Sequence, residues 1–161
     1  MASRQHYLVP QGTVENSITV RLGAGTGAAN NLSDVDNNKI VKLVGESRYD
    51  LAVAGDSIEG FITSIDLATT GGYSIGGVLV EGIAWATADG LQGTPGTGVI
   101  AIGDLVVAGS ITAKGTALAS YPKVCKATSQ AVQKFMWRVV SLGTAGTGAV
   151  GTDIVIAPIC C

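Results

Sequence analysis

SLGTAGTGAVGTDIVIAP, residues 141–158, poses the question on which the fold turns. Gly146, Gly148 and Gly151 satisfy the G-x-G-x-x-G spacing of a dinucleotide-binding loop, and the preceding KFMWRVVSL could supply the strand such a loop follows. A loop of that kind hands its pyrophosphate to the N-terminus of a helix, where free amides and the helix dipole favour negative charge. Here the next residues are TDIVIAPICC. They are few, β-branched and broken by Pro158, which is the signature of a strand. No acidic residue follows at the distance a ribose would need, because the sequence stops first. The glycines therefore predict the connection of a β-hairpin, in which glycine supplies positive φ without steric cost.

The rest of the chain is written in the same vocabulary. Of 161 residues, 23 are glycine, 47% are hydrophobic and only 14% are charged. An ordinary domain carries about 25% charge. Glycine at that level weakens helices, whereas Val, Ile and Thr favour strands. The expected class is all-β: an antiparallel barrel or sandwich with glycine-rich loops and an extended N-terminal arm, residues 1–16, ahead of a single β domain, 17–161. SITVRL alternates cleanly, with Ile18, Val20 and Leu22 on one face. KIVKLV, SIEGFITSI, YPKVCKA, KFMWRVVSL and GTDIVIAPI read as further strands. YSIGGVLVEGIAWA reads as one long strand kinked at Gly76, Gly77 and Gly82, where bulges are expected. VIAIGDLVVAG and SITAKG read as a short pair, TADGLQGTPGTG as a loop, and TSQAVQK as the only segment of helical character. Three loops, 23–31, 93–98 and 143–152, share Gly, Thr, Ala and Pro, but no regular period links them, which argues against a solenoid.

Two strands are apolar on both faces. In GVLVEGIAWA, Val78, Val80 and Ala84 oppose Leu79, Ile83 and Trp85, and in DIVIAPI no polar face remains. An antiparallel sheet normally keeps one wet face. Such strands either lie between two layers or meet another subunit, and periodicity does not separate these. Charge is segregated too. Every charge from residue 49 to 113 is negative (Asp50, Asp56, Glu59, Asp66, Glu81, Asp89, Asp104), and every charge from 114 to 138 is positive (Lys114, Lys123, Lys126, Lys134, Arg138). This is drift in a sparsely charged sequence, or an acidic and a basic face that meet between subunits or fix orientation on a partner.

Chemistry is sparse. The single histidine, His6, lies in the expected arm, where nothing fixes the geometry a general base needs. Asp56 and Glu59, or Asp34 and Asp36, are close in sequence, but such carboxylates usually cap backbone. SDVDNN lacks the glycine and glutamate of an EF-hand, which leaves it a weak calcium candidate. Cys125, Cys160 and Cys161 make a poor disulfide framework and are read as thiols, with a Cys125 link to the terminal pair as the alternative. Trp85 and Trp137 are read as core. The net charge of −2 gives no nucleic-acid footprint. No apolar run reaches the length of a spanning helix. MASRQHYLVPQG lacks a secretory h-region, so synthesis in a cytoplasm is expected. No cofactor and no enzymatic activity are expected.

Residues 53–109 run VAGDSIEGFITSID, then GGYSIGGVLVEGIAWA, then VIAIGDLVVAGS. This order resembles the small β-rich capsid decoration (cement) proteins of tailed bacteriophages. The shared pattern is a Gly-Asp step into a strand (Gly55-Asp56), a long apolar strand between glycines (Gly60, Gly72, Gly82) and a second Gly-Asp step (Gly103-Asp104). It covers about a third of the chain. The resemblance implies a β protein that oligomerises, often as a trimer, on the exterior of a virion, with the major capsid protein as partner. The expected contacts are the arm residues Arg4, Tyr7, Leu8 and Val9 and the basic residues Lys123, Lys126 and Lys134. A carbohydrate- or surface-binding fibre or adhesin module is the alternative. For the Gly-Asp steps themselves, the favoured role is local: glycine for the turn, aspartate accepting a backbone N–H.

Overall fold

The computed structural model describes residues 16–24, 31–66, 74–128 and 136–159. As expected, these residues are all-β; the only helical element among them is a 3-10 turn at Asp34–Asp36. The first five strands are β1 (Asn16–Leu22), β2 (Ile40–Gly45), β3 (Arg48–Leu51), β4 (Gly60–Asp66) and β5 (Ser74–Glu81). They close into a barrel in the order β1-β3-β2-β4-β5, with β5 returning to β1. β1 follows its alternation, with Val20 and Leu22 buried and Thr19 and Arg21 exposed.

The remaining strands are β6 (Ala84–Leu91), β7 (Thr94–Pro95), β8 (Leu105–Ala108), β9 (Lys123–Lys126), β10 (Trp137–Ser141) and β11 (Asp153–Pro158). Their sheet runs β11-β10-β8-β9-β6-β7, and β11 also pairs with β6. With the short β7 set aside, the second sheet is therefore a closed ring of five strands. The two rings share one connectivity. In each, the first and third strands pair in parallel, and the third-second, second-fourth, fourth-fifth and fifth-first pairs are antiparallel. The chain is a tandem of two barrels of the same topology. The repeat is invisible as a sequence period because the connections differ: strands two and three are joined by a tight turn at residues 46–47 in the first barrel and by residues 109–122 in the second.

Several elements depart from the sequence reading. YSIGGVLVEGIAWA is not one strand but two, β5 and β6, which belong to different barrels and are divided at Gly82, where φ is +132°. The irregularity expected near Gly77 lies across from it, between Ile62 and Ser64 of β4. Gly76 sits so close to the Ser64 carbonyl and the Leu22 side chain that a Cβ has no space. Thr87 to Leu91, read as loop, continues β6; its inward positions are Ala86 and Ala88, too small to announce a strand. SITAKG is not a strand. Its Ser110 and Gly115 amides go to the carboxylates of Asp89 and Asp36 at 2.7 and 2.8 Å, so they are not available to a ladder. TSQAVQK falls mostly outside the described residues.

The doubly apolar strand is explained within the chain. Val41, Ile62 and Val78 fill the first barrel. Their neighbours Ile40, Phe61 and Leu79 face the other way and join the core of the second barrel, with Trp137, Val139, Ile154 and Ile156. Phe61 meets Trp137 edge-on, with centroids 5.1 Å apart and planes at 77°. β5 thus lies between two layers rather than at a subunit contact. On β11, Ile154 and Ile156 face the core, and Val155, on the opposite face, is also buried.

The Gly-Asp steps have the local role expected of them, and more. Gly55 and Gly103 both adopt φ of +89°, and the Asp56 and Asp104 carboxylates each accept the amide three residues back, Val53 and Ala101, at 2.8 Å. Each step then clamps one residue of a neighbouring strand. Gly55 N–H donates to Ala108 O and Ala108 N–H to Asp56 O; Gly103 N–H donates to Val139 O and Val139 N–H to Asp104 O. The first clamp ties the two barrels together.

Candidate partner surface

Two of the three Gly-Thr loops converge at one rim of the second barrel. The hairpin loop between β10 and β11 lies against residues 97–103: Ile100 N–H donates to Gly148 O at 2.9 Å, and Val99 bridges to Ala149. Gly148 is required there, because a Cβ would strike the Ile100 carbonyl. Gly143, Gly146 and Gly151 hold positive φ, as hairpin glycines should. The G-x-G-x-x-G spacing is thus a turn, and it is followed by β11, not a helix.

This rim has no charge. Neither residues 92–103 nor 139–152 contain an ionisable side chain. Three of its threonine hydroxyls are engaged internally: Thr152 Oγ1 lies 2.7 Å from both the Thr147 and Ala149 carbonyls, Thr97 Oγ1 donates to the Thr94 carbonyl at 2.8 Å, and Thr147 Oγ1 accepts the Ala149 amide at 3.2 Å. Their methyl groups and the aliphatic residues between them remain for solvent. Val99, Ile102 and Val150 are 60%, 64% and 41% exposed. Scattered exposed aliphatics need no explanation, but grouped and uncharged ones mark a contact surface. Sequence reading named the loops without placing them together; the signal was the pair of charge-free windows.

Of the residues expected to touch a partner, Arg4, Tyr7, Leu8, Val9 and Lys134 lie outside the described residues. Lys123 and Lys126 bracket β9 and are each engaged by their own chain. Lys123 Nζ lies 3.5 Å from Asp89, and Lys126 Nζ 2.9 Å from Asp104. Lys42 pairs with Asp56 at 2.6 Å. Charges segregated along the sequence therefore meet in part inside one molecule, because β9 lies between β8 and β6 and each of its lysines reaches an acidic residue of the 49–113 stretch.

Of the carboxylate candidates, Asp36, Asp56 and Glu59 accept backbone amides of their own chain, and Asp34 is exposed. Asp36 is fully buried; it accepts Lys39 Nζ at 2.7 Å and the amides of Ser33 and Gly115 at 2.9 and 2.8 Å. Lys39 Nζ donates in turn to Ala113 O at 2.8 Å. Burial alone raises the Asp36 pKa, but the hydrogen bonds from Lys39, Ser33 and Gly115 outweigh it and leave the group below its ordinary value. With those donors in place, Asp36 is no calcium ligand. Asp89 has the same history: burial raises its pKa, and the Ser110 hydrogen bonds and Lys123 bring it below normal. Glu59 accepts the Leu43 amide at 2.9 Å. Among the described residues no three metal-ligating side chains converge, and no helix is long and apolar enough to cross a membrane. His6, Cys160 and Cys161 lie outside them.

Cys125 is a free, buried thiol. Burial, followed by the Asp89 charge, pushes its pKa up to about 11 against the opposing pull of Lys123. Trp137 is core as expected, but Trp85 is not. It is half-buried on the outer face of β6, stacked on Tyr121 with centroids 5.5 Å apart and planes at 18°.

Compared with family models, curated proteins and solved structures, the chain matches none.

Proposed function

We propose that this chain is a structural virion protein that binds the outside of a tailed-phage capsid and stabilises the shell as a symmetric oligomer. The observation that carries the reading is the uncharged rim of the second barrel, where Val99, Ile102 and Val150 stand on a frame held by backbone hydrogen bonds. A rigid aliphatic rim loses little entropy on docking. Each contact is small, and repetition over one oligomer raises the effective concentration of the rest. The Gly-Asp pattern of residues 53–109 supplies the resemblance, and the arm with Arg4, Tyr7, Leu8 and Val9 is the second proposed contact.

The test is co-sedimentation with undecorated heads assembled from a tailed-phage major capsid protein. Saturable binding that protects the heads from disruption supports the reading. No binding at any salt concentration removes it.

The stacked Trp85–Tyr121 pair favours a second reading, a carbohydrate- or surface-binding module, since half-exposed aromatics are a common sugar platform. Glycan binding by the isolated protein, without head binding, would put this reading first.

A further inference from the structure

The shared topology of the two barrels makes their walls comparable. In the first barrel, Ile40, Phe61 and Leu79 face each other across the second, fourth and fifth strands. That row points outward and is buried against the second barrel, at 7%, 3% and 1% exposure. In the second barrel a corresponding row on the second, fourth and fifth strands is Leu105, Arg138 and Ala157. It also points outward, because the alternate residues Val106, Trp137 and Ile156 are in the core. Nothing among the described residues covers this second wall fully: Leu105 and Ala157 are half-exposed, Arg138 is exposed, and Val140, two residues along the same face, is 37% exposed.

Charge distinguishes the barrels. Residues 16–81 hold eight carboxylates and four cations, and residues 84–159 hold three carboxylates and five cations. The first barrel also presents exposed aliphatics next to a carboxylate. At the β2–β3 hairpin, Leu43 and Val44 are 49% and 39% exposed, and Glu46 is exposed at the turn. Arg48, in the same hairpin, lies back over Gly45 and is half-buried. Neither Arg138 nor Glu46 has an ion-pair partner among the described residues.

We infer that the Leu105–Arg138–Ala157 wall of one molecule docks on the β2–β3 hairpin of a second copy, with Arg138 opposite Glu46 and Val140 opposite Leu43 and Val44. The wall repeats between molecules the kind of contact that the first barrel makes within one. The two surfaces differ, so the contact is head-to-tail and builds a ring or a linear series. Opposite net charge steers the two barrels together and sets their orientation. This rests on the reading that the chain works as an oligomer, but it needs no capsid.

The experiment is sedimentation velocity of the isolated full chain under reducing conditions, over a hundredfold range of concentration, with no heads present. Wild type should sediment above the monomer. Arg138→Glu and Glu46→Arg should each weaken association at least tenfold, with circular dichroism and Tm unchanged because both side chains are exposed. Arg138→Glu combined with Glu46→Arg should restore association, since the pair is then reversed. A monomeric wild type overturns the inference, as does an assembly that either single reversal leaves intact or the double reversal fails to restore. Head binding by a strictly monomeric wild type would sink this contact alone and leave capsid attachment standing.

Discussion

The Asp36 carboxylate accepts the Gly115 amide at 2.8 Å across 79 residues of chain. With Lys39 donating to the Ala113 carbonyl, one buried ion pair of the first barrel holds the middle of the 109–122 connection of the second. Removing one member leaves the other charged and without its partner in a dry site. Asp36→Ala should cost about 3–5 kcal/mol, the usual penalty for breaking a buried pair. Urea denaturation checks it, and a loss below about 1 kcal/mol would mean that the pair is solvated.

Acid should find the same weakness. Asp36 and Asp89 both titrate below their ordinary value of 3.8 in the folded state. Their stabilisation is therefore complete above that value and is lost as pH falls through the lowered ones. Tm should be nearly flat from neutrality to about pH 5 and drop steeply below about pH 4. The Asp36→Ala variant should show a shallower acid limb. Equal acid slopes for the two proteins would contradict the assignment.

Phe61, on β4 of the first barrel, packs in the core of the second against Trp137, so the barrels should unfold together. Phe61→Ala should cost about 3–5 kcal/mol and keep a single transition when followed by Trp fluorescence and by circular dichroism. Two separated transitions in the wild type would show that the barrels are independent.

Much of this fold was legible. β1 declared itself by alternation, and the β10–β11 hairpin by glycines followed by a β-branched run with no helix. What was hidden had physical causes. Ala86 and Ala88 pack inward with so little side chain that β6 looked like loop. SITAKG looked like a strand because its amides gave no sign that they would be taken by buried carboxylates far away in sequence. Val78 and Leu79 announced two dry faces, and only the placement of the second barrel decides what covers them. The candidate surface was half legible: the loops were named, but that Val99 would lie beside Ala149 is a tertiary fact. Charge alone marks Lys123 and Lys126 for partner contact, and it does not reveal that Asp89 and Asp104 reach them first.

Cys125 should be inert. A thiol pushed up to about 11 and shielded from solvent carries almost no thiolate at neutral pH. Peptide mapping after brief iodoacetamide treatment at pH 7.5 should find Cys125 labelled only when denaturant is present. Labelling of the native protein would place it at an accessible surface.

The proposed function has the charge-free rim attach this protein to a capsid. The most direct measurement is head co-sedimentation of wild type beside the Val99→Asp/Ile102→Asp double variant, whose exposed positions should leave Tm within a few degrees of wild type. Two buried carboxylates at the contact predict a loss of head affinity of at least a hundredfold. Binding of the double variant with wild-type affinity would contradict the account.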